Sequence, residues 1–323
     1  MTYATSPSTF AIPIRGPFLW AMATDLLGHF GPTSRHAQRV GDDVLRLAFP
    51  LDGDFRPTAV ALQVVDGELL GTVAGTDRIE VAAAQVARIF SLDTDGSAYP
   101  DVAVRDPALG PVMAALPGLR PVCFTSPYET AAWAVLSARI SMAQAARVQD
   151  RLITEIGQRL TVAGRDVWSF PTPDRLLDLA ELPGASAEKV VRLQAVARAA
   201  LDGRLDATRL RALGPEAGPA SLLGIRGIGP FWSSGIYLRG CGIPDIFPAE
   251  PLAIAALGQL HGLGDRPDPA EMARLTNLYA PYRMWVCFLL RVAGGRDIIS
   301  GLAGRAMAIR RATRTSAGGR TPS

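Results

Sequence analysis

One short segment, Leu222 to Gly240, constrains the fold of this chain more than any other. At its centre, Gly227 and Gly229 lie on either side of Ile228, and Pro230 follows directly. Glycine adopts backbone conformations that other residues avoid, so the chain can turn sharply while Ile228 anchors the turn in the core. Proline is favoured at the first position of a helix. The segment therefore predicts a helix, a tight hairpin and a second helix.

This hairpin has two interpretations. In the first, its exposed amides and the start of the second helix face a DNA phosphate, because aligned N–H groups and the helix dipole favour an anion. Such contacts position a protein on DNA without recognising base sequence. In the second, the segment is an ordinary pair of packed helices joined by a glycine turn. The hairpin alone does not decide between them.

The N-terminal region, residues 1–120, has the pattern of an α/β domain with an antiparallel sheet. Asp43–Leu51 is strand-like, and Thr58–Val73 contains two apolar runs separated by Asp66-Gly67, a pair typical of tight β-hairpins. From Asp77 to Leu92 apolar residues recur at roughly helical spacing. We therefore expect a sheet with a helix packed across it.

Residues 121–305 have the pattern of an all-α domain, which makes the expected class α+β. Ser126 and Pro127 combine an N-cap hydroxyl with a proline at the first helical position, which indicates a helix start. Alanine-rich amphipathic segments follow at 142–158 and 187–201. The basic tail, 306–323, has too little apolar surface to offset the entropy of ordering, so we expect it to be disordered.

The composition of the 323 residues argues against several classes of protein. The three cysteines and three histidines lack the close spacing of metal ligands, so we expect no metal site. The chain has no apolar run long enough to span a membrane and no secretory signal pattern, so the expected location is the cytoplasm. A net charge of +3 neither requires nor excludes a nucleic-acid partner. Phosphate-loop, nucleophile-elbow and dinucleotide-binding motifs do not occur in the sequence.

Five short sequences accompany the glycine turn around Ile228 and support the first interpretation of the hairpin. They are Pro127-Tyr128-Glu129, Phe170-Pro171-Thr172-Pro173, Leu238-Arg239-Gly240, Asp245-Ile246-Phe247-Pro248 and Pro281-Tyr282-Arg283. With the hairpin, over about residues 126–295, they resemble the helix-hairpin-helix DNA glycosylases of the endonuclease III superfamily, most closely the 3-methyladenine DNA glycosylase II branch. The hairpin departs from the family's turn at Arg226, which stands in place of a proline.

The resemblance implies a monofunctional DNA glycosylase of base-excision repair. Such an enzyme binds double-stranded DNA, flips out a damaged, in this branch alkylated, base and hydrolyses its N-glycosidic bond. We expect a monomer without an organic cofactor, in which hairpin carbonyls at Leu223, Ile225 and Gly227 could hold a monovalent cation. Bifunctional members use a lysine after the hairpin, whereas the only lysine here, Lys189, precedes it.

The family's catalytic aspartate falls on Pro251, which cannot ionise. That aspartate stabilises the positive charge that develops on the sugar as the base leaves. Glu250 is the only carboxylate within a few residues, and two roles are open for it. It either replaces the aspartate from one position earlier, or it complements the dipole of a helix whose first turn holds Pro251.

The resemblance also assigns residues to the DNA and to the pocket for the flipped base. The expected DNA-binding residues are Gly227, Ile228, Gly229, Phe231, Trp232, Ser233 and Arg139, the last as filler of the gap left in the duplex. The expected pocket residues are Ala138, Trp285 and Arg291. Arg291 stands where the branch has a tryptophan, and a cationic wall would disfavour positively charged alkylated purines. The alternative for Arg291 is a solvated position on its helix.

Two other hypotheses stay open. A protein that kept the fold and lost the chemistry would bind lesions or distorted DNA without cutting, and Pro251 favours this hypothesis. A protein whose hairpin serves only packing or partner binding would have no role on DNA.

Overall fold

The computed structural model describes residues 8–29, 38–39, 43–264, 267–300 and 302. The basic tail expected to be disordered, 306–323, lies outside the described residues. The chain divides into two compact units, each assembled from separate segments. The first is drawn from within residues 1–14, 20–93 and 122–242, and the second from within residues 15–19, 94–121 and 243–323.

Strands occur in the first unit. They are β1 Ser8–Pro13, β2 Gln38–Arg39, β3 Leu45–Pro50, β4 Pro57–Val65, β5 Glu68–Ala74, β6 Gln158–Val162 and β7 Arg165–Ser169. The first five form an antiparallel sheet in the order β1, β5, β4, β3, β2, and β6 pairs with β7 in a separate hairpin.

Helices make up most of the rest of both units. They are α1 Trp20–His29, α2 Ile79–Ile89, α3 Asp101–Arg105, α4 Gly110–Ala115, α5 Pro127–Ser137, α6 Met142–Ile156, α7 Pro173–Leu177, α8 Ala187–Leu201, α9 Ala207–Leu222, α10 Pro230–Gly235, α11 Pro251–Leu260, α12 Pro269–Asn277 and α13 Arg283–Gly295. A 3-10 turn occupies Pro107–Leu109, and a π-helical turn follows α10 at Ile236–Gly240.

The predicted hairpin of the N-terminal sheet is confirmed. β4 pairs with β5, and the turn residues Asp66 and Gly67 have φ angles of +49° and +81°. A two-residue turn with two positive φ angles matches the twist of the strands it joins, which explains the Asp-Gly pair. The strand expected at 43–51 is β3, and the helix expected at 77–92 is α2, which packs against β1 and β5.

The prediction of an all-α second region is wrong at β6 and β7. Their turn is made by Ala163 and Gly164, with φ of +46° and +70°. The hairpin buries Val162 and Val167 against Ala48, Ala59 and Ala61 of β3 and β4. Each strand has only five residues, and its burial depends on a sheet far away in sequence. The local pattern was therefore too short to stand out between amphipathic helices.

A buried polar junction fixes the start of α5. Gln85 and Arg88 of α2 both donate to the Thr125 carbonyl, at 3.0 and 2.8 Å, and the Thr125 hydroxyl donates to the Glu129 carboxylate. Ser126 accepts the Glu129 N–H at 3.1 Å, as the predicted N-cap does. Buried polar groups are costly unless paired, so this junction ties the sheet region to α5.

The second unit is organised around α11 and α13, which pack against each other. Asp106 is buried beside them, where it accepts the Tyr279 hydroxyl at 2.6 Å and lies 3.0 Å from His261 Nε2. The guanidinium of Arg120 lies over the ring of Trp285, 5.0 Å from its centroid. Burial holds the pKa of Arg120 down to about 10, still above neutral pH, so it remains a cation.

Candidate nucleic-acid interface

The turn centred on Ile228 is built as the sequence predicts. α9 ends at Leu222 and α10 begins at Pro230. Ile228 is 5% exposed, and its N–H donates to the Ile225 carbonyl at 3.0 Å. Gly227 has a φ of +93°, which L side chains rarely adopt. The turn thus combines a buried side chain, Ile228, with a backbone conformation at position 227 that glycine adopts most easily.

The two glycines of the turn serve different needs. A Cβ atom on Gly227 would lie 2.8 Å from Cδ of Arg192, so the packing of Arg192 also favours glycine at position 227. A Cβ atom on Gly229 would meet none of the described residues within 4 Å, and the φ angle of Gly229 is −99°. The protein's own packing therefore explains Gly227 and places no demand on Gly229.

The amides that follow the turn are available to a ligand. Gly229 is the N-cap of α10, and no side chain in the described part of the chain caps this helix. Within the described residues, the N–H groups of Gly229, Phe231 and Trp232 have no acceptor, while the Ser233 N–H donates to the Gly229 carbonyl at 2.9 Å. Gly229 and Phe231 are exposed. Donors of this kind at a helix start favour an anion.

Phe231 and Trp232 differ sharply in exposure. Phe231 is 76% exposed, and its ring contacts Trp232 edge-on at 5.5 Å. Trp232 is half-buried and packs on the cluster formed by Phe124, Trp133 and Ala145. Most of Phe231 is therefore open to a ligand, whereas Trp232 is partly used in packing against the protein and partly exposed.

Ser233 is an internal residue of the hairpin. It is 3% exposed, its hydroxyl donates to the Pro230 carbonyl at 3.0 Å, and its N–H is already used. Both of its donors are therefore occupied. The prediction that Ser233 contacts DNA gains no support from these contacts.

Three charged side chains lie at the start of the hairpin. The sequence analysis gave none of them a role in the site. Arg226 donates to both carboxylate oxygens of Glu188, at 3.1 and 3.3 Å, and Arg192 donates to the same group at 2.9 Å. The Glu188–Arg192 pair is spaced i,i+4 on α8 and was visible in the sequence. The approach of Arg226 depends on the tertiary fold and left no local signal.

Ala138 and Arg139 lie at the end of α5. Ala138 is the C-cap of the helix, and Arg139 follows with a φ of +60°, which few residues other than glycine adopt. Arg139 is exposed, and among the described residues it has neither an ion pair nor a hydrogen bond. About one turn before Arg139, the carbonyl of Leu136 accepts a hydrogen bond from Lys189 Nζ at 2.6 Å.

Glu250 is the N-cap of α11. Its Oε2 accepts the Ala253 N–H at 2.7 Å, and Pro251 occupies the first helical position. Its Oε1 lies 3.7 Å from Nε of Arg291 on α13. The carboxylate therefore complements a helix start, as one of its two expected roles requires, and faces a cation. Glu250 makes both contacts while its residue stays partly exposed to solvent.

The structure places the two pocket candidates of α13 in different surroundings. Trp285 is 1% exposed and packs on Tyr99 and Tyr282, with ring centroids 5.1 and 5.0 Å away. Arg291 is exposed. Their separation of six positions corresponds to a rotation of about 240° around the helix axis. Trp285 therefore belongs to the core of the unit, and only Arg291 is open to a ligand.

The loop that leads to Glu250 is anchored on α13. Arg283 Nη1 donates to Asp245 at 2.8 Å, and the Met284 N–H donates to the Pro244 carbonyl at 2.8 Å. Arg283 and Asp245 lie in two of the segments that carry the family resemblance, and the resemblance gave neither residue a role. Their contacts fix where the chain enters α11.

No group of three or more histidine, cysteine, aspartate or glutamate side chains in the described ranges is arranged to hold a metal ion. In the same ranges, no helix is long and apolar enough to cross a bilayer. Two cavities, of about 370 Å³ in the first unit and about 230 Å³ in the second, contain none of the candidate site residues among their lining.

Known proteins resemble this chain in sequence and in fold. The search of family models found no match. A DNA-3-methyladenine glycosylase of Bacillus subtilis is 24% identical over 201 residues, which are 61% of this chain and 65% of that protein. DNA-3-methyladenine glycosylase 2 of Escherichia coli is 28% identical over 244 residues, 72% of this chain and 80% of that protein. The chain thus spans slightly less than two thirds of the Bacillus protein.

A solved structure described as a 3-methyladenine DNA-glycosylase from Archaeoglobus fulgidus has a similar fold. It superposes with a TM-score of 0.69 at 19% identity, covering 88% of this chain and 97% of that one. At this identity the likeness concerns the fold, and the sequence relatives carry the closer relationship. This chain is thus similar in sequence to DNA-3-methyladenine glycosylases and similar in fold to a 3-methyladenine DNA-glycosylase.

Proposed function

We propose that this protein is a monofunctional DNA glycosylase of base-excision repair that hydrolyses the N-glycosidic bond of a flipped, alkylated base. One observation carries the proposal: three amides with no acceptor among the described residues follow an exposed turn in a chain similar to DNA-3-methyladenine glycosylases. They would bind a phosphate of the duplex and position it without recognising sequence. Ile228 holds the turn from inside, and Gly227, Gly229, Phe231 and Trp232 form its DNA-facing surface.

Glu250 is the proposed catalytic carboxylate. Its charge would stabilise the oxocarbenium-like sugar that forms as the base leaves. The hydrogen bond from Ala253 gives the carboxylate a fixed direction, which such a role requires. Pro251, at the family's aspartate position, has no ionisable group, so the acid function falls to Glu250 or is lost.

Arg139 is the proposed filler of the gap left by the flipped nucleotide. Its exposure, its strained position after α5 and its lack of partners within the described chain support this role. Ala138 and Arg291 are the proposed pocket residues. Trp285 also stays a predicted pocket residue, although its burial argues for a structural role.

The proposed reaction stops after base release. A lyase step needs a lysine nucleophile, and the amine of Lys189, the only lysine, donates to the Leu136 carbonyl from a helix that precedes the hairpin. No organic cofactor enters the proposal. A monovalent cation could bind the carbonyls of Leu223, Ile225 and Gly227, although Ile225 already accepts one hydrogen bond and would use its second lone pair.

We further propose a monomer in the cytoplasm, acting on double-stranded DNA with a damaged base. The linear division also stays a proposal: a sheet domain at 1–120 precedes the helix-hairpin-helix domain at 121–305.

Base release tests the function directly. The protein is incubated under single-turnover conditions with a duplex treated with a methylating agent, and free methylated bases are quantified by chromatography. We expect release by the parent protein and a loss of about 100-fold or more with Glu250→Gln, by analogy with removal of a single charge-stabilising group. Asp268→Asn, which alters an N-cap carboxylate on α12, is the matched control and should release bases normally. Equal release by Glu250→Gln and the parent would remove Glu250 from the mechanism.

A second candidate function is binding of damaged or distorted DNA without cutting. Two observations favour it: Pro251 replaces the aspartate, and Glu250 is engaged by Ala253 and Arg291. This candidate predicts duplex affinity that falls with salt, together with no base release from any lesion tested. Any turnover that depends on Glu250 would exclude it.

A further inference from the structure

A cluster of three cations and one carboxylate lies beside the hairpin. Its members are Lys189, Arg192, Glu188 and Arg226, and all lie in the first compact unit. Glu188 is the only acid of the cluster, so two positive charges are left uncompensated. The side chain of Arg226 is 60% exposed, which leaves most of its donors open to solvent.

The geometry ties this cluster to the hairpin itself. Arg226 directly precedes Gly227 in the chain, and the stem of Arg192 lies against Gly227, where it excludes a Cβ atom. The two guanidinium groups meet at Glu188, where Arg192 donates at 2.9 Å and Arg226 at 3.1 Å. Both arginines are therefore held at the first residues of the turn, and Arg226 is three positions before Gly229, whose amide has no acceptor among the described residues.

The charged groups of the cluster differ in how many of their hydrogen-bonding positions are already used within the protein. The hydrogen bond from Arg192 and the charges of both arginines hold the pKa of Glu188 below its usual range, so it is fully ionised at neutral pH. Burial and the charge of Arg192 lower the pKa of Lys189, and its amine already donates to Leu136. Arg226 has no other acceptor among the described residues, so it is the cation of the cluster most open to an outside anion.

We infer that Arg226, supported by Arg192, binds a second phosphate of the DNA strand beside the one bound by the hairpin amides, and that Glu188 is the internal anion this phosphate displaces. The inference rests on the proposed function. A guanidinium offers a planar fork suited to a phosphate, whereas the proline of related hairpins offers no side-chain donor. In the free protein Glu188 keeps the fork in place. In the complex its negative charge opposes the phosphate.

This arrangement makes opposite predictions for the two partners of one ion pair. Arg226→Ala should weaken binding about tenfold near 0.1 M salt, because one charge-assisted phosphate contact is lost. It should also reduce the slope of log K against log salt by about 1, the value for one phosphate contact. Glu188→Gln should strengthen binding several-fold, because it removes an anion from the phosphate's surroundings. If the salt bridge were purely structural, the two substitutions would not change duplex affinity in opposite directions.

Fluorescence anisotropy with a labelled duplex containing a central abasic-site analogue measures both effects across a salt series. Arg159 and Asp166 form an exposed ion pair on the β6–β7 hairpin, and Arg159→Ala and Asp166→Asn are the charge-matched controls. We expect the controls to match the parent in affinity and slope. Thermal unfolding verifies that every variant is folded, and Arg226→Lys, which restores the charge without the fork, should recover part of the affinity.

Two results separate the inference from the function on which it rests. If the parent binds the duplex with a clear salt dependence while Arg226→Ala keeps the same affinity and slope, the second phosphate site is wrong and the glycosylase proposal stands. If Glu188→Gln weakens binding as Arg226→Ala does, the pair is structural and the inference is also wrong. If the parent fails to bind the duplex at any salt concentration, the proposed function itself fails.

Discussion

Arg291 and Glu250 face each other across α13 and α11, with Nε of the arginine 3.7 Å from Oε1 of the glutamate. This distance is too long for a hydrogen bond, so Arg291 acts on the carboxylate mainly through its charge. The direction of the carboxylate is set instead by the 2.7 Å hydrogen bond from Ala253. Position and charge of the proposed catalytic group are thus controlled by different residues.

This separation gives a prediction for Arg291→Gln. Removal of the cation leaves the Ala253 hydrogen bond intact and strengthens the negative potential of Glu250. Because both side chains are partly exposed and screened, we expect excision of a cationic methylated purine to rise only about two- to fivefold. Single-turnover rates measure it, and Arg291→Lys, which keeps the charge, should stay close to the parent. A fall in rate with Arg291→Gln would mean that the arginine contributes directly to catalysis.

The two glycines of the hairpin should respond differently to alanine. Gly227→Ala places a Cβ at positive φ and 2.8 Å from Arg192, so we expect a loss of at least about 1 kcal/mol of unfolding free energy. The Cβ of Gly229→Ala meets no atom of the described residues, so the unfolding free energy of this variant should change by less than about 1 kcal/mol. Its added methyl group lies beside the free amides and should weaken duplex binding. Chemical denaturation and anisotropy on the same samples compare the two, and unchanged binding by Gly229→Ala would contradict a close phosphate.

Glu129 should make the protein less stable as pH rises toward neutral. Burial raises its pKa from 4.5 to about 7, although the Thr125 hydroxyl partly opposes the shift. Between these values the carboxyl is protonated in the folded state and ionised in the unfolded state. The unfolding free energy should therefore fall as pH rises from about 4.5 to about 7, by on the order of 3 kcal/mol in all.

Denaturant unfolding at several pH values measures this dependence. Glu129→Gln keeps an acceptor for Thr125 and removes the titration, so it should flatten the curve in that window. A curve with the same slope in Glu129→Gln would assign the effect to other groups.

Trp285 should behave as a core residue. It is fully buried among Tyr99, Tyr282 and the guanidinium of Arg120, so Trp285→Ala should lower the unfolding free energy by about 3 to 5 kcal/mol. Trp285→Phe keeps an aromatic ring and should retain most base release. A stable Trp285→Ala variant with selectively lost lesion binding would instead restore the pocket assignment.

Local signals explain which parts could be predicted from sequence. The cap Ser126, the Asp66-Gly67 turn and the Gly227 turn depend on nearby residues, and each occurs where expected. The β6–β7 hairpin was missed because its burial depends on β3 and β4.

The candidate site could be predicted only in part. The role of Glu250 as an N-cap follows from its place before Pro251, and the structure agrees with that local interpretation. The pairing of Glu250 with Arg291, the burial of Ser233 and the contact between Arg226 and Glu188 all join segments far apart or depend on packing. No local pattern encodes such contacts.

The central claim is that the amides after Ile228 bind the DNA backbone. Amide resonances of Gly229, Phe231 and Trp232, recorded by NMR as an abasic duplex is added, test it most directly. We predict that these three amides shift and become protected from hydrogen exchange, while the Ser233 amide, already bonded to Gly229, changes least. Duplex binding that leaves all three amides unshifted and unprotected would contradict the account.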